Sequence, residues 1–294
     1  MAQHTDPLAG KIIATKTMRE LNLISQGQPS SDGDGVKLTR LIGNKTLNML
    51  DPFLLLDLFE SDQPNDYIGG FPDHPHRGFE TVTYMLAGKM RHKDNAGNEG
   101  VISANGVQWM TAGKGVVHSE MPEQESGLLK GFQLWINLPK THKMTEPVYQ
   151  EFAANKLAME YNDDGSEIRV ISGSTNKGTT GPVSNTFVKP TYMDVNLPAG
   201  TTFEQTLPMA DNAFVFVIEG HVSVGNNSQG LQQNHLGILS NGDAVTITAC
   251  SDNSRFLLIS GKPLNEPVAR GGPFVMNTRA EVMQAFDDFQ DNKF

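Results

Sequence analysis

Cysteine is almost missing. Cys250 is the single one in 294 residues, so no internal disulfide can form and no thiolate metal cluster can be built. It reads as a small buried apolar side chain. Runs of Lys or Arg are missing too, and with 33 acidic against 23 basic residues the formal net charge is −10. A binder of phosphate backbones would carry a basic face, so direct nucleic-acid binding is disfavoured. No stretch approaches the roughly 20 apolar residues of a membrane helix. The opening "MAQHTDPLAGKIIATKTM" lacks the basic segment and apolar core of a secretory signal. These absences predict a soluble, cytoplasmic chain with no membrane or direct nucleic-acid partner; a monomer is expected.

Helical signals are scarce as well. The best is "NTRAEVMQAFDDFQ", where Thr278 and Glu281 have capping-box spacing and Val282, Phe286 and Phe289 share a face. That helix is expected to pack on the outside of a sheet. Elsewhere 29 glycines and 16 prolines cut the chain into short runs rich in β-branched and aromatic residues. "FETVTYML", "GVQWMTA", "GFQLWINL", "FVFVIEG", "AVTITA" and "RFLLISG" read as strands of an all-β sandwich or barrel. The length favours two domains. A linker is expected at about 140–165, with loops at 172–185 and 225–235.

A weak internal repeat supports two copies of one β-barrel unit. "TYMLAGKM" resembles "VFVIEGHV", each a strand ending in Gly88 or Gly220. "ANGVQWMTAG" parallels "SNGDAVTITA", both an Asn-Gly turn leading into a strand. The domains are expected at 1–145 and 160–294.

The chemistry concentrates in two stretches. In "GGFPDHPHRGFETVTYMLAG", His74 and His76 stand at i and i+2, which on a strand face the same side. In "TAGKGVVHSEMPEQE", His118 and Glu120 repeat that spacing. A lone His-x-His is a weak signal, read as readily as two hydrogen-bonded histidines beside a proline. Two such pairs on neighbouring strands would bring three imidazoles and a carboxylate together inside a small barrel. Such a set suits Fe(II), Mn(II), Ni(II), Co(II) and Zn(II) alike.

This two-motif spacing resembles the cupin superfamily of metal-bearing antiparallel barrels. "LDPFLLLDLFE", "GFPDHPHRGFETVTYMLAG", "VQWMTAGKGVVHSEMP" and "GPFVMNTRAE" together resemble pirin, a family of two cupins, over nearly the whole chain. The resemblance implies two cupin-type jelly-roll domains with a short C-terminal helix. It also implies iron, Fe(II), held by His74, His76, His118 and Glu120 in the first domain. The implied activity is that of a quercetin 2,3-dioxygenase-like oxidoreductase, cleaving a flavonol with O2 and releasing carbon monoxide. Glu120 would accept the substrate's hydroxyl proton. The family's alternative role is an iron-containing, redox-responsive regulator acting through a protein partner.

General cupins draw their carboxylate from the first motif, where Glu80 stands, so Glu80 competes with Glu120. The resemblance favours Glu120, leaving Glu80 to orient an imidazole. Lys114 departs from the Arg more usual in the family. Ungapped alignment of the repeat places Thr206, Pro208, Ser254 and Phe256 opposite the four ligands, none a good donor, so the second domain is expected to be metal-free. Among the rest, His4, His142, His221 and His235 read as terminal, linker or turn residues, and His92 as solvated in a polar hairpin. Phe53, Phe71, Phe79 and Trp109 are candidate pocket walls. Gln133, out of phase with Phe132, Leu134 and Ile136, is expected to face the barrel interior.

Overall fold

The structure, a computed structural model, describes residues 16–184 and 187–294; His4 and the last residue of the expected 172–185 loop lie outside them. All six runs read as strands are strands, and they fall into two sheet pairs. In the first barrel a seven-stranded sheet runs, in spatial order, Val148–Phe152, Val107–Thr111, Phe79–Ala87, Leu129–Asn137, Phe53–Ser61, Val36–Ile42 and Gln28–Asp32. A four-stranded sheet faces it, in the order Phe71–His76, Val116–Pro122, Lys89–Asp94 and Glu99–Ser103. The second barrel repeats both orders, with Thr191–Pro198, Asn212–Glu219 and Asn253–Gly261 central in its seven-stranded sheet.

Strand alternation decides what each face of the large sheets does. On Leu129–Asn137, Phe132, Leu134 and Ile136 point into a core shared by the two barrels, as do Val82 and Tyr84 of the neighbouring strand. Across that core Phe53 meets Phe214 at 5.3 Å between ring centroids and Phe132 meets Phe216 at 5.2 Å, both edge to face. Each such fully buried aromatic contributes about 2–3 kcal/mol. The alternate residues of the same strands, Gln133 and Trp135, face the inside of the first barrel.

Segments near both ends of the described chain cross over between barrels. Leu21–Ser25 pairs with Leu236–Leu239 and forms the edge of the second barrel's large sheet. At the other end, Phe274 bridges to Arg77, and Arg77 pairs with Asp288 of the helix Arg279–Gln290, which lies against the first barrel. The capping box of Thr278 and Glu281 is present, and Phe286 and Phe289 pack on Phe274. The stretch expected as a linker carries the edge strand Val148–Phe152, the strand Ala158–Tyr161 and a buried lysine. That lysine, Lys143, donates to the carbonyls of Gly78, Val275 and the Asn137 side chain at 2.6–2.8 Å. The expected 225–235 loop contains the strand Gln229–Gln232. Cys250 is exposed, not buried: Ala249 takes the inward position and the next side chain turns out. Among the described residues, no helix is long and apolar enough to cross a membrane.

Candidate metal centre

Phe71–His76 and Val116–Pro122 pair antiparallel with His118 opposite His74 and Val116 opposite His76. Side chains at alternate positions therefore converge. His74, His76 and His118 bring one ring nitrogen each within 4.8 Å of one another. His76 and His118 are almost fully buried.

Hydrogen bonds on the far side of each ring decide which nitrogen faces the centre. His74 Nδ1 lies 2.7 Å from the Pro72 carbonyl and His76 Nδ1 lies 3.4 Å from the Pro273 carbonyl. A carbonyl can only accept, so both rings carry their proton on Nδ1 and present a bare Nε2. The two Nε2 atoms stand 3.1 Å apart, and His118 Nε2 is buried with no hydrogen-bond partner. Facing lone pairs and an orphaned buried acceptor are costly unless a cation lies among them. Burial, and then the neighbouring imidazoles, hold His76 and His118 well below the ordinary imidazole range, keeping them neutral donors. The residues present fit a metal ion.

Glu120 lines the same cavity but is not one of the three converging groups. Thr83 donates to its Oε1, and Gln133 Nε2 donates to its Oε2 at 2.7 Å. Gln133 thus faces the interior, as its phase on the strand predicts. Glu80 is on the opposite face of its strand from Thr83, with Val82 and Tyr84 of the shared core, and accepts from Thr111 at 2.7 Å. Neighbours on one strand face separate compartments here.

The centre opens on a cavity of about 690 Å³. Phe71, Phe59, Leu55 and Trp135 give it apolar walls, and Arg40, Asp57 and Arg270 give it polar ones. Arg40 grips Asp57 through two hydrogen bonds of 2.9 and 2.7 Å, while burial pushes the Asp57 carboxyl up to about 6 against that pull. Arg270 lies 5.8 Å from the Trp135 ring and donates to the Leu54 carbonyl. Of the aromatics expected as walls, Phe71 lines the cavity and Phe79 packs 4.9 Å from His76. Phe53 and Trp109 belong to the shared core instead. Trp135 is the wall the sequence reading passed over, although it shares a face with Gln133.

His92 is buried, not solvated. It is 1% exposed, stacked on Tyr149 at 4.5 Å, with its Nδ1 3.3 Å from His118 Nδ1. Polar neighbours on the hairpin suggested solvent, but His92 and Asp94 alternate inward from them. The His-x-Asp spacing, the same i, i+2 pattern as at the centre, was the available signal.

The second barrel shows what this architecture contains without such a centre. Gly88 and Gly220 do correspond, each at a positive φ between matching strands. The Asn-Gly turns do not. Asn105 donates to Met85 as Asn234 does to Val217, and both have φ near 60°, so Asn234 is the equivalent turn. Strand registers then place Gln205, Leu207, Val245 and Ile247 at the positions of His74, His76, His118 and Glu120, replacing the ungapped assignment. Leu207, Val245 and Ile247 belong to a continuous apolar core.

Two antiparallel barrels packed through their large sheets, one with a cluster of imidazoles over a cavity and one filled with hydrocarbon, define a bicupin. A family model described as Pirin matches residues 35–136, and one described as Pirin C-terminal cupin domain matches residues 192–294. A Pirin-like protein from Caulobacter vibrioides is 54% identical over 278 residues, covering 94% of this chain and 99% of its own. Pirin from Homo sapiens is 42% identical over 279 residues, covering 93% and 92%. The crystal structure of a quercetin 2,3-dioxygenase from Acinetobacter baumannii matches with a TM-score of 0.85 at 36% identity, over 94% of this chain and 98% of that one. The chain belongs to the pirin family.

Proposed function

We propose that this protein is an iron-dependent dioxygenase that cleaves a flavonol such as quercetin with O2. The observation that carries the reading is the convergence of three bare imidazole nitrogens at the floor of a cavity of about 690 Å³ with aromatic walls. That volume suits a planar molecule of flavonol size. The dioxygenase structure from Acinetobacter baumannii supports the same substrate class.

In this reading His74, His76, His118 and Glu120 hold the metal. When bound, it supplies the charge that acidifies a substrate hydroxyl and the redox capacity for reaction with O2. The chain's own residues do the rest. Trp135 and Phe71, which both line the cavity, pack on the flat substrate and exclude water. Glu120, steadied by Thr83 and Gln133, takes the proton as the substrate 3-hydroxyl ionises. The net reaction opens the heterocyclic ring and releases carbon monoxide. The second barrel holds no metal; it buttresses the first through the shared core.

The alternative, an iron-bearing redox switch for a protein partner, needs the metal but not the cavity, and the apolar walls favour the enzyme. Metal analysis of protein purified anaerobically, followed by oxygen uptake with a flavonol panel, tests the proposal. Stoichiometric iron with flavonol-dependent uptake is expected; metal without any turnover would overturn the enzymatic reading.

A further inference from the structure

His118 lacks the carbonyl acceptor that fixes the other two rings, and a different device stands behind it. On adjacent strands His118 is opposite Asp94, and Glu120 is opposite His92. His118 Nδ1 lies 3.3 Å from His92 Nδ1, and His92 Nε2 lies 3.1 Å from Asp94 Oδ2. Asp94 is itself fixed. Its Oδ1 accepts from the backbone N–H groups of Ala96 and Asn98 at 3.0 and 2.9 Å, and its Oδ2 accepts from Asn98 Nδ2 at 2.9 Å.

The polarity of this chain follows from its end. A carboxylate only accepts, so His92 donates from Nε2. A neutral imidazole has one N–H, so His92 Nδ1 must accept. His118 is then the donor, through Nδ1, and its Nε2 is left bare. That Nε2 is the atom without a hydrogen-bond partner beside His74 and His76. His92 cannot swing away, because it is buried and stacked on Tyr149 at an interplanar angle of 23°.

The geometry points to His92 and Asp94 as positioning residues that lock His118 in the tautomer able to bind a metal through Nε2. They touch neither the cavity nor the substrate; they act through His118. This rests on the metal-site reading above. The register supports a dedicated role, since the second barrel has Val224 at the position of His92, inside its apolar core.

Asp94→Asn tests the lock directly. The two backbone N–H groups require an acceptor at the Oδ1 position, so the new amide must turn its NH2 toward His92. His92 Nε2 then accepts, its Nδ1 donates, and the proton of His118 is driven to Nε2, where it blocks ligation. His92→Phe keeps the ring stacked on Tyr149 but removes the acceptor, whereas His92→Gln can supply both a donor and an acceptor.

Two readouts are taken on protein with native circular dichroism: 15N chemical shifts of the histidine rings in the metal-free chain, and Fe(II) titrated anaerobically. In the wild type His118 is expected to carry its proton on Nδ1, and in Asp94→Asn on Nε2. Fe(II) affinity should fall about 10- to 100-fold in His92→Phe and at least as far in Asp94→Asn. His92→Gln should stay within a few-fold of wild type. A wild-type His118 protonated on Nε2, or an Asp94→Asn variant with unchanged tautomer and affinity, would overturn the proposal. A wild type that takes no Fe(II) but shows the expected tautomers would instead refute the metal-site reading while the lock stands.

Discussion

Arg77 Nη1 donates to Asp288 Oδ2 at 2.8 Å, tying the residue that follows His76 to a helix at the far end of the chain. The Arg77 guanidinium also lies 4.3 Å from the centre of the Phe294 ring. Pro273 accepts from His76, and Phe274 bridges to Arg77. Gly78, with φ +90° and Val275 against its α-carbon, allows this close approach. The C-terminal segment is therefore part of the scaffold of the first barrel's centre.

Asp288→Asn should accordingly lower both thermal stability and metal affinity, the latter several-fold, while leaving the second barrel folded. Calorimetry and metal titration on the same preparation check it. Unchanged metal affinity in this variant and in Arg77→Met would mean that the helix merely covers the barrel.

His74→Ala and His118→Ala should each abolish stoichiometric metal and flavonol-dependent oxygen uptake with the fold retained. The barrel's stability comes from its strands and the shared core, not from the three rings. Full metal occupancy in either variant would break the proposed ligand set.

Glu120→Gln should cost more metal and more activity than Glu80→Gln. Glu120 lines the cavity, whereas Glu80 accepts from Thr111 on the other face of the sheet. Metal content of the two variants decides between the carboxylates, and a larger loss from Glu80→Gln would reverse the assignment.

Alternation on a strand is local, so the inward face of Gln133 and the shared face of His74 and His76 were legible from spacing. The quoted motifs carried the family. Turn identity is not local: an Asn-Gly pair satisfies any tight turn, so matching Asn105 to Asn241 was chemically reasonable and topologically wrong. The true counterpart, Asn234, shares its left-handed φ and its bonds to the neighbouring strand, which only the fold reveals. The His-x-Asp spacing puts His92 and Asp94 on one face, but that this face is the buried one, like the crossing of the terminal segments between barrels, depends on strands distant in sequence.

Lys143 offers a test in pH. Burial pushes its amine down to about 7 from the usual 10.5. Between those values the folded chain holds fewer protons on this group than the unfolded chain, so its contribution to stability grows as pH rises from about 7 and is lost as pH falls. Lys143→Met should cost about 2–4 kcal/mol by leaving buried carbonyls unpaired. The gap from wild type should widen with rising pH, by at most about 1.4 kcal/mol per unit. Denaturation curves for both proteins from pH 7 to pH 10 give the answer. Parallel curves would show that the three carbonyl acceptors keep the ammonium charged.

Strand for strand the barrels correspond, yet three positions that are polar inside the first barrel have apolar counterparts. Thr83, Gln133 and Asp57 correspond by register to Val215, Leu258 and Met193, and all three belong to the second barrel's apolar core. Removing an ion's hydration costs far more than these side chains can return, and hydrocarbon offers no lone pair. Gln205 alone keeps a polar group at a ligand position, and its amide donates to the carbonyls of Ser174 and Thr206. One ion per chain is therefore expected, bound in the first barrel. Metal analysis together with anomalous scattering can locate it. A second ion between residues 165 and 270 would show that the second barrel binds metal through groups other than those its topology places at the centre.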